Sequence, residues 1–110
     1  MRIQVQEMGG ALVVRPEGEL TEDTARDLLE EIGRELGEAC DVILDLSDVD
    51  RVAVGALPVL FRIQQLAREG DGVMYVAGAG DAARRLFDLT RVSENLRLVS
   101  SAEEVLAVRV

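Results

Sequence analysis

The amino-acid sequence predicts an α/β fold: an N-terminal β-hairpin, then alternating strands and helices around a mixed, mostly parallel sheet. A segment with apolar residues at alternate positions precedes Gly9-Gly10 and an apolar segment follows it, a pattern typical of a tight hairpin. After them, short apolar runs alternate with longer segments whose apolar residues recur every three or four positions, which favours parallel strands joined by helices. A chain of 110 residues fits one domain, predicted to span residues 1–110.

The first half of the chain contains the hairpin, one helix and one buried strand. Residues 2–7 alternate apolar and polar side chains and predict a strand, and residues 11–16 predict the strand that returns. Thr21, followed by two acidic residues, predicts the N-cap of a helix. The run of residues 41–46 is apolar apart from Asp45, which favours a strand covered on both faces.

The second half predicts three helices and two strands. A helix is expected from about residue 56 to residue 69, with Pro58 in its first turn, where a missing N–H costs little. The remaining elements are a strand at 73–77, a helix capped by Asp81, a strand at 96–99, and a helix that Ser101 and Glu104 open as a capping box and that ends near residue 108. Seven residues are expected in the core: Leu28, Ile32, Leu44, Leu60, Ile63, Val76 and Leu86.

The composition argues against several classes of function. Acidic residues outnumber basic ones by 21 to 12, the net charge is −9, and every basic residue is Arg. Such a charge disfavours nucleic-acid partners, which require clustered cations. Without Lys or His there is no Schiff-base lysine and no histidine general base, so neither enzymatic activity nor a cofactor or metal ion is expected.

Two further features concern the environment of the chain. Cys40 stands at the start of a predicted strand and is expected to be a small buried side chain rather than a reactive thiol. No apolar run approaches the ~18 residues that a membrane span requires, and no signal peptide opens the chain. The sequence therefore predicts a cytoplasmic location without direct insertion into a membrane.

The segment from Val42 to Leu60, VILDLSDVDRVAVGALPVL, combines a buried strand, a short acidic loop and a small-residue turn into an apolar helix. It resembles the signature of STAS domains, the family of anti-sigma factor antagonists. Three other segments match motifs of that family in order and spacing: Gly18-Glu19-Leu20 the GELD motif, residues 84–92 the helix ending in L-x-x-L-T-G-L, and residues 103–106 the closing helix. The resemblance covers essentially the whole chain and implies the STAS fold.

The loop before the second helix departs from the family pattern. STAS domains of this type carry roughly (I/V)-D-S-S-G-L there, and a partner kinase phosphorylates the second Ser. That Ser aligns with Gly55, and Ala53, Val54 and Ala56 replace the neighbouring Asp, Ser and Gly. The resemblance therefore implies a lost phosphoacceptor at Gly55. A purely structural interpretation stays open, in which Gly55 supplies an unusual backbone angle to a turn and Val54 only packs.

The resemblance implies a regulatory protein-interaction module that binds a protein partner through the loop and helix around residues 51–62. The partner class it implies is an anti-sigma factor that acts as a serine kinase, or another STAS-containing assembly. Arg51, Arg62 and Arg68 are expected to make polar contacts, and Val54 and Leu57 are expected to be apolar anchors. The predicted partner-binding residues are Thr21, Arg51, Val52, Ala53, Val54, Gly55, Ala56, Leu57 and Arg62.

An alternative function is also compatible with the sequence. In that interpretation the chain is a STAS scaffold subunit that does not switch and forms part of a larger assembly of the stressosome or lipid-transport kind. Thr21 lies in the GELD-equivalent loop and is the least easily explained of the other hydroxyl residues, so it is the second candidate for phosphorylation. Gly78 and Gly80 before a helix match a phosphate-binding pattern only weakly, and a simple strand–helix turn is the preferred interpretation.

Overall fold

The computed structural model describes residues 1–37 and 40–108 and confirms the α/β fold with its N-terminal hairpin. The strands are β1 Arg2–Met8, β2 Ala11–Leu20, β3 Asp41–Asp45, β4 Val49–Val52, β5 Met74–Ala77 and β6 Arg97–Val99. The helices are α1 Glu22–Glu35, α2 Leu57–Glu69, α3 Asp81–Leu89 and α4 Ala102–Ala107, with 3-10 turns at Val54–Ala56 and Val92–Asn95. The sheet order is β1-β2-β3-β5-β6, and β4 pairs with the far end of β2.

The sheet is parallel except for the hairpin. β1 and β2 pair antiparallel, whereas β2–β3, β2–β4, β3–β5 and β5–β6 are parallel. Gly9 and Gly10 have φ values of 56° and 77°, the positive values that a two-residue hairpin turn of type I′ requires at both central residues. Because β2, β3 and β5 are parallel, their carboxyl ends lie at the same end of the sheet. The chain segments that lead into the first three helices start from this end.

β2 is longer than the sequence predicts, since it continues past Pro16 to Leu20. Pro16 lies opposite Ile3 in the hairpin register and does not interrupt the ladder. At Gly18, whose φ is 99°, the register with β4 shifts, so the strand bends away from β3 and pairs with β4 instead. The prediction that the strand ends at Pro16 was wrong because the Pro falls at a position that needs no donor toward β1.

The core lies mainly on the face of the sheet covered by α1, α2 and α3, while α4 covers part of the other face. Six of the seven predicted core residues are fully buried, and Cys40 is buried as expected. Leu86 is only partly buried, because Phe87 is the residue of α3 that points into the core. A core built from Leu, Val, Ile and Ala therefore anchors α2 at Leu60 and Ile63 beneath the candidate loop.

Three local features of the structure differ from the sequence prediction. β4 was not predicted at all, because its short sequence VDRV carries two charges and lacks an apolar run. Asp81 is the first residue of α3 and not its cap; the N-cap is Gly80, which has no side chain to donate or accept. Ser101 caps α4 as predicted, but the Glu104 carboxylate accepts from the Ser100 amide, one residue before the expected partner.

Candidate functional site

The candidate loop is the segment Ala53–Ala56, between β4 and α2. Backbone hydrogen bonds hold it at both ends: the Ala53 amide donates to the Leu20 carbonyl at 2.8 Å, and the Ala56 amide donates to the Ala53 carbonyl at 3.0 Å. The segment closes as a 3-10 turn that leads directly into α2, and no side chain caps it. The loop is therefore fixed by its backbone while its outer side chains face solvent.

Gly55 is exposed at the tip of this loop, and its φ lies outside the left-handed region. A Cβ at this position would meet the Glu22 Cβ at 3.5 Å and the Glu22 Oε1 at 3.8 Å, which is ordinary contact. The interpretation of Gly55 as a turn glycine with an unusual backbone angle is therefore wrong. Any small side chain, including a serine, fits this backbone.

Thr21 forms the cap of α1 that the sequence predicts. Its Oγ1 accepts from the Thr24 amide at 3.2 Å, and the Thr21 amide donates to Thr24 Oγ1 at 2.7 Å. Thr24 Oγ1 also donates to the Glu19 carbonyl at 2.9 Å. The Thr21 hydroxyl is thus used inside the fold, as the acceptor that caps α1.

The predicted partner-binding residues divide into two groups by exposure. Arg51, Val54, Gly55 and Arg62 are exposed, with Val54 exposed to 63%, and Thr21 and Ala53 are partly buried. Val52, Ala56 and Leu57 are buried and support the loop from below. Leu57, exposed to only 6%, therefore does not lie on the surface, and the prediction that it is an exposed apolar anchor was wrong.

The sequence did not identify a groove between α1 and α2 beside the loop. Its walls are formed by Arg26, Leu29, Glu30, Pro58, Val59 and Arg62. Arg26 is bound to the Glu22 carboxylate at 2.9 Å, whereas Arg62 has no ion pair among the described residues. The spacing of Glu22 and Arg26 by four positions predicts such a pair on one helix, but only the fold brings the pair next to Gly55.

A hydrogen-bond network centres on Asp45, a buried carboxylate at the end of β3. Its Oδ2 accepts from Arg15 Nη2 at 2.9 Å and Nε at 3.1 Å, and its Oδ1 accepts from the Ser47 amide at 3.0 Å. Burial alone would raise the pKa of the Asp45 carboxyl, but the hydrogen bonds from Ser47 and the Arg15 guanidinium outweigh it and hold the pKa below its usual value. Asp45 therefore fixes the start of the chain segment that leads to β4 and the loop.

Gly78, the first glycine after β5, has a structural reason. Gly78 has a φ of 67°, and a Cβ there would approach Asp45 Oδ1 to 2.9 Å. This close approach to a buried carboxylate explains the glycine without a phosphate. Within residues 1–37 and 40–108, no three His, Cys, Asp or Glu side chains are grouped closely enough to hold a metal ion.

The family is decided by a match over almost the entire chain. A model of the STAS domain matches residues 2–105. This chain belongs to the STAS domain family. Its structural neighbours include anti-sigma factor antagonists, in agreement with the resemblance carried by the Val42–Leu60 segment. No curated protein sequence gives a significant match.

Three solved structures illustrate the likeness. A putative anti-sigma factor antagonist from Thermotoga maritima superposes with a TM-score of 0.85 at 17% identity, covering 96% of this chain and 92% of the other. An anti-sigma factor antagonist from Mycobacterium paratuberculosis gives a TM-score of 0.82 at 25% identity, covering 97% and 92%. A sulfate transporter family protein from Wolinella succinogenes gives 0.77 at 17% identity, covering 96% and 88%.

The same STAS fold thus occurs in regulators and in a transporter family. Across the part of the chain that the structure describes, none of the helices has the length and apolar character of a membrane span.

Proposed function

We propose that this STAS domain is a regulatory module that binds a protein partner through the Ala53–Ala56 loop, Arg51 and the exposed side of α2 as far as Arg62. The observation that supports it best is the loop itself. It is held by backbone bonds to Leu20, presents Val54 to solvent, and adjoins the groove between α1 and α2. Its neighbours among solved structures are anti-sigma factor antagonists, which are regulators.

The partner that the family resemblance implies is an anti-sigma factor with serine kinase activity. Val54 supplies an exposed apolar contact, and Arg51 and Arg62 supply cations around it. Arg51 lies 4.0 Å from Glu19, an exposed pair that contributes little by itself and can exchange for a carboxylate of the partner. The role is binding and not catalysis, and the cytoplasmic location expected from the sequence is part of the same proposal.

The proposal includes the absence of a phosphorylation switch in the loop. Residues 48–57 contain no Ser, Thr or Tyr, so a kinase finds no acceptor there. The Thr21 hydroxyl is engaged in the cap of α1, which argues against Thr21 as a substitute. Binding is then controlled by the amounts of the two proteins or by a change in the partner.

The decisive experiment is a calorimetric titration of the protein captured from the native host with three variants at position 55. Gly55→Asp places a carboxylate in the proposed interface, where binding removes its hydration water and need not supply a cation to pair with it. The carboxylate of Glu22 lies beside this position and adds repulsion. We expect at least about tenfold weaker binding for Gly55→Asp, since each ~1.4 kcal/mol of desolvation cost weakens binding tenfold. Gly55→Asn has the same shape without the charge and is the matched control, and Gly55→Ala tests the added Cβ.

Binding by Gly55→Asn and Gly55→Ala should stay close to that of the parent chain, because the backbone at Gly55 accepts a Cβ. Melting temperatures of all three variants should remain close to that of the parent, so that a loss of affinity reports on contact and not on folding. Equal affinities for the parent chain and Gly55→Asp would remove the loop from the interface.

A second candidate function is a STAS scaffold subunit that does not switch. It is favoured by the backbone at Gly55, which would accept a serine yet carries none, and by the likeness in fold to a sulfate transporter family protein. In that case the captured partner is a subunit of a larger assembly of the stressosome or lipid-transport kind and has no kinase domain. Mass-spectrometric identification of the captured protein distinguishes the two candidates.

A further inference from the structure

β1 forms one end of the sheet, and its outer edge is open. No strand within residues 1–37 and 40–108 pairs with that edge. β1 has seven residues in unbroken register with β2, from Arg2 opposite Glu17 to Met8 opposite Ala11. The other end of the sheet is β6, which has only three residues. Short edge strands resist pairing with other chains, whereas a long regular edge invites it.

The hairpin register determines which backbone groups of β1 face outward. In an antiparallel ladder, opposite residues alternate between pairs that exchange hydrogen bonds and pairs that do not. Met8 and Ala11 close the two-residue turn and form a bonded pair, so Ile3, Val5 and Glu7 fall at positions that are not bonded to β2. Pro16, which has no N–H, lies opposite Ile3 and agrees with this assignment. The amides and carbonyls of these three residues therefore point away from the sheet.

The edge has few of the features that prevent pairing. β1 has no Pro and no bulge, and its charged residues, Arg2 and Glu7, lie toward its two ends, outside the Ile3–Val5 segment. The side chains of Ile3 and Val5 are partly buried against the main core, so one flank of the edge is apolar. An added strand would extend both the ladder and this apolar surface.

We propose that β1 pairs with β1 of a second copy of this chain, antiparallel and about a two-fold axis at Gln4. In this register Ile3 of each copy lies opposite Val5 of the other, and these pairs exchange the hydrogen bonds. Gln4 lies opposite Gln4 of the other copy, on the face of the sheet that Ile3 and Val5 do not occupy, and Arg2 lies opposite Gln6 on that same face. The proposal concerns a face that does not include the candidate loop, so it stands independently of the proposed partner.

The sequence of β1 favours this self-pairing over other registers. It places β-branched residues opposite each other, lets two amide side chains hydrogen-bond across the axis, and sets no like charges directly opposite. A shift by two positions, centred on Val5, would put Glu7 opposite Ile3 and leave Val5 opposite Val5 in place of the two Ile3–Val5 pairs. Parallel pairing of the two β1 strands would not allow Ile3 and Val5 to exchange hydrogen bonds directly, because the bonds of a parallel ladder are slanted. Parallel pairing is also slightly less stable per residue.

The charge of the protein opposes the pairing and gives it a characteristic salt dependence. Each copy carries a net charge of −9, and Asp27, Glu30 and Glu31 of α1 line a surface pocket with Ile3, together with Arg34 and Met1. Raising the ionic strength from about 0.1 M to about 1 M shortens the Debye length from ~10 Å to ~3 Å and weakens this repulsion. The interface is also small, so dimerisation is expected only at high protein concentration.

The first experiment is sedimentation velocity on the full chain from low micromolar to millimolar concentration. We expect the mass to rise from 12.0 kDa toward twice that value, and to do so at lower concentration in high salt. Val5→Pro removes one outward amide without removing a bond to β2, and should weaken the dimer at least about tenfold. Val5→Thr keeps the amide and the branched shape and is its matched control, and circular dichroism should show both variants folded.

A second experiment tests the register. In the proposed dimer the two Gln4 Cα atoms lie about 4.5 Å apart, within reach of a disulfide, whereas the two Gln6 residues are offset by ~13 Å. Gln4→Cys should therefore form a covalent dimer under mild oxidation and Gln6→Cys should not, while the native Cys40 stays buried.

A monomer at every concentration and salt would overturn the proposal and leave the edge of β1 to a different protein. Crosslinking of Gln6→Cys in place of Gln4→Cys would overturn the register.

Discussion

α1 and α2 start next to each other at the same edge of the sheet, yet their first turns are stabilised differently. At α1, Thr21 and Thr24 exchange hydrogen bonds, and two acidic residues lie in the first turn. At α2, the flanking residues Ala53 and Ala56 have no side chain that can cap, and no acidic residue lies in the first turn. The carboxylate of Glu22, which lies close to Gly55, belongs to α1.

The contrast separates a helix start that serves the fold from one that remains available for contacts. The polar groups at the start of α1 are satisfied internally, so a partner gains little there. The start of α2 is held by backbone hydrogen bonds and by the core below it. No side chain caps it, so its exposed surface remains available for contacts with a partner. Stability at α2 must then come from packing and from the support below the loop, and this can be tested by mutation.

The largest effect is expected from Leu60→Ala in α2. Leu60 is fully buried, and truncation of a buried Leu costs about 2–5 kcal/mol. This is a large part of the ~5–15 kcal/mol by which a domain of this size is stable. Urea unfolding followed by circular dichroism should show a lower midpoint with a similar slope. Arg62→Ala, on the exposed side of the same helix, should change the free energy of unfolding by less than about 0.5 kcal/mol.

An unchanged midpoint for Leu60→Ala would mean that α2 does not depend on its packing, and the contrast with α1 would fail.

A smaller effect is expected from Asp45→Asn, which weakens the hydrogen bonds at the start of the segment that leads to β4 and the loop. Loss of a charged acceptor for Arg15 and Ser47 should cost about 1–3 kcal/mol at neutral pH. The pKa of Asp45 is lower in the folded than in the unfolded chain, so its stabilisation is fully present above the unfolded value near 3.8 and is lost as the pH falls through the folded pKa.

The difference in unfolding free energy between the parent chain and Asp45→Asn should therefore be constant near neutral pH and shrink in acid. Urea midpoints measured from neutral pH down into the acid range give this difference. Asp50→Asn, at an exposed carboxylate of β4, is the control and should show little change. A difference that grows as the pH falls would contradict the direction of the pKa shift.

The smallest effect is expected from the caps themselves. Thr21→Ala removes the side-chain acceptor for the Thr24 amide and should cost ~1 kcal/mol, within the range of about 0.5–2 kcal/mol for lost N-caps. Thermal unfolding of the variant gives the difference directly.

Ala53→Ser makes the opposite change at the other helix start. Ala53 has the extended backbone of an N-cap, with φ −81° and ψ 150°, but no acceptor, so a serine there should stabilise the protein by a few tenths of a kcal/mol to ~1 kcal/mol. If Thr21→Ala and Ala53→Ser shift the melting temperature in the same direction, the two helix starts do not differ in the way described.

The sequence predicted the elements with a strong apolar period and missed the features that depend on tertiary contacts. Apolar spacing located α1, α2 and the buried strand β3, because periodicity follows directly from which face is buried. β4 was not predicted because a four-residue strand with two charged residues shows no clear apolar periodicity. It forms only because the end of β2 bends toward it and pairs with it. Pro16 suggested an end to β2 that the hairpin register does not require.

For the candidate site, local motifs predicted the position of the loop but not its surroundings. The motif aligned Gly55 with the lost serine, and the cap at Thr21 followed from its neighbours in sequence. The contact between Glu22 and Gly55, and the burial of Leu57, depend on how α1 packs against α2. Side-chain exposure at a helix start is set by the neighbouring helix, which a single segment of sequence does not specify.

Because β2 pairs with strands on both edges, the order of synthesis constrains the order of folding. The β1–β2 hairpin has a two-residue turn and can form in about 1–10 μs. The strand on the other edge comes much later: Asp45, the partner of Arg15, lies 30 positions further along the chain. A ribosome that adds about 5–20 residues per second needs ~2–6 s to reach it. The second edge of β2 therefore stays without its partner strand for about a millionfold longer than the hairpin takes to form.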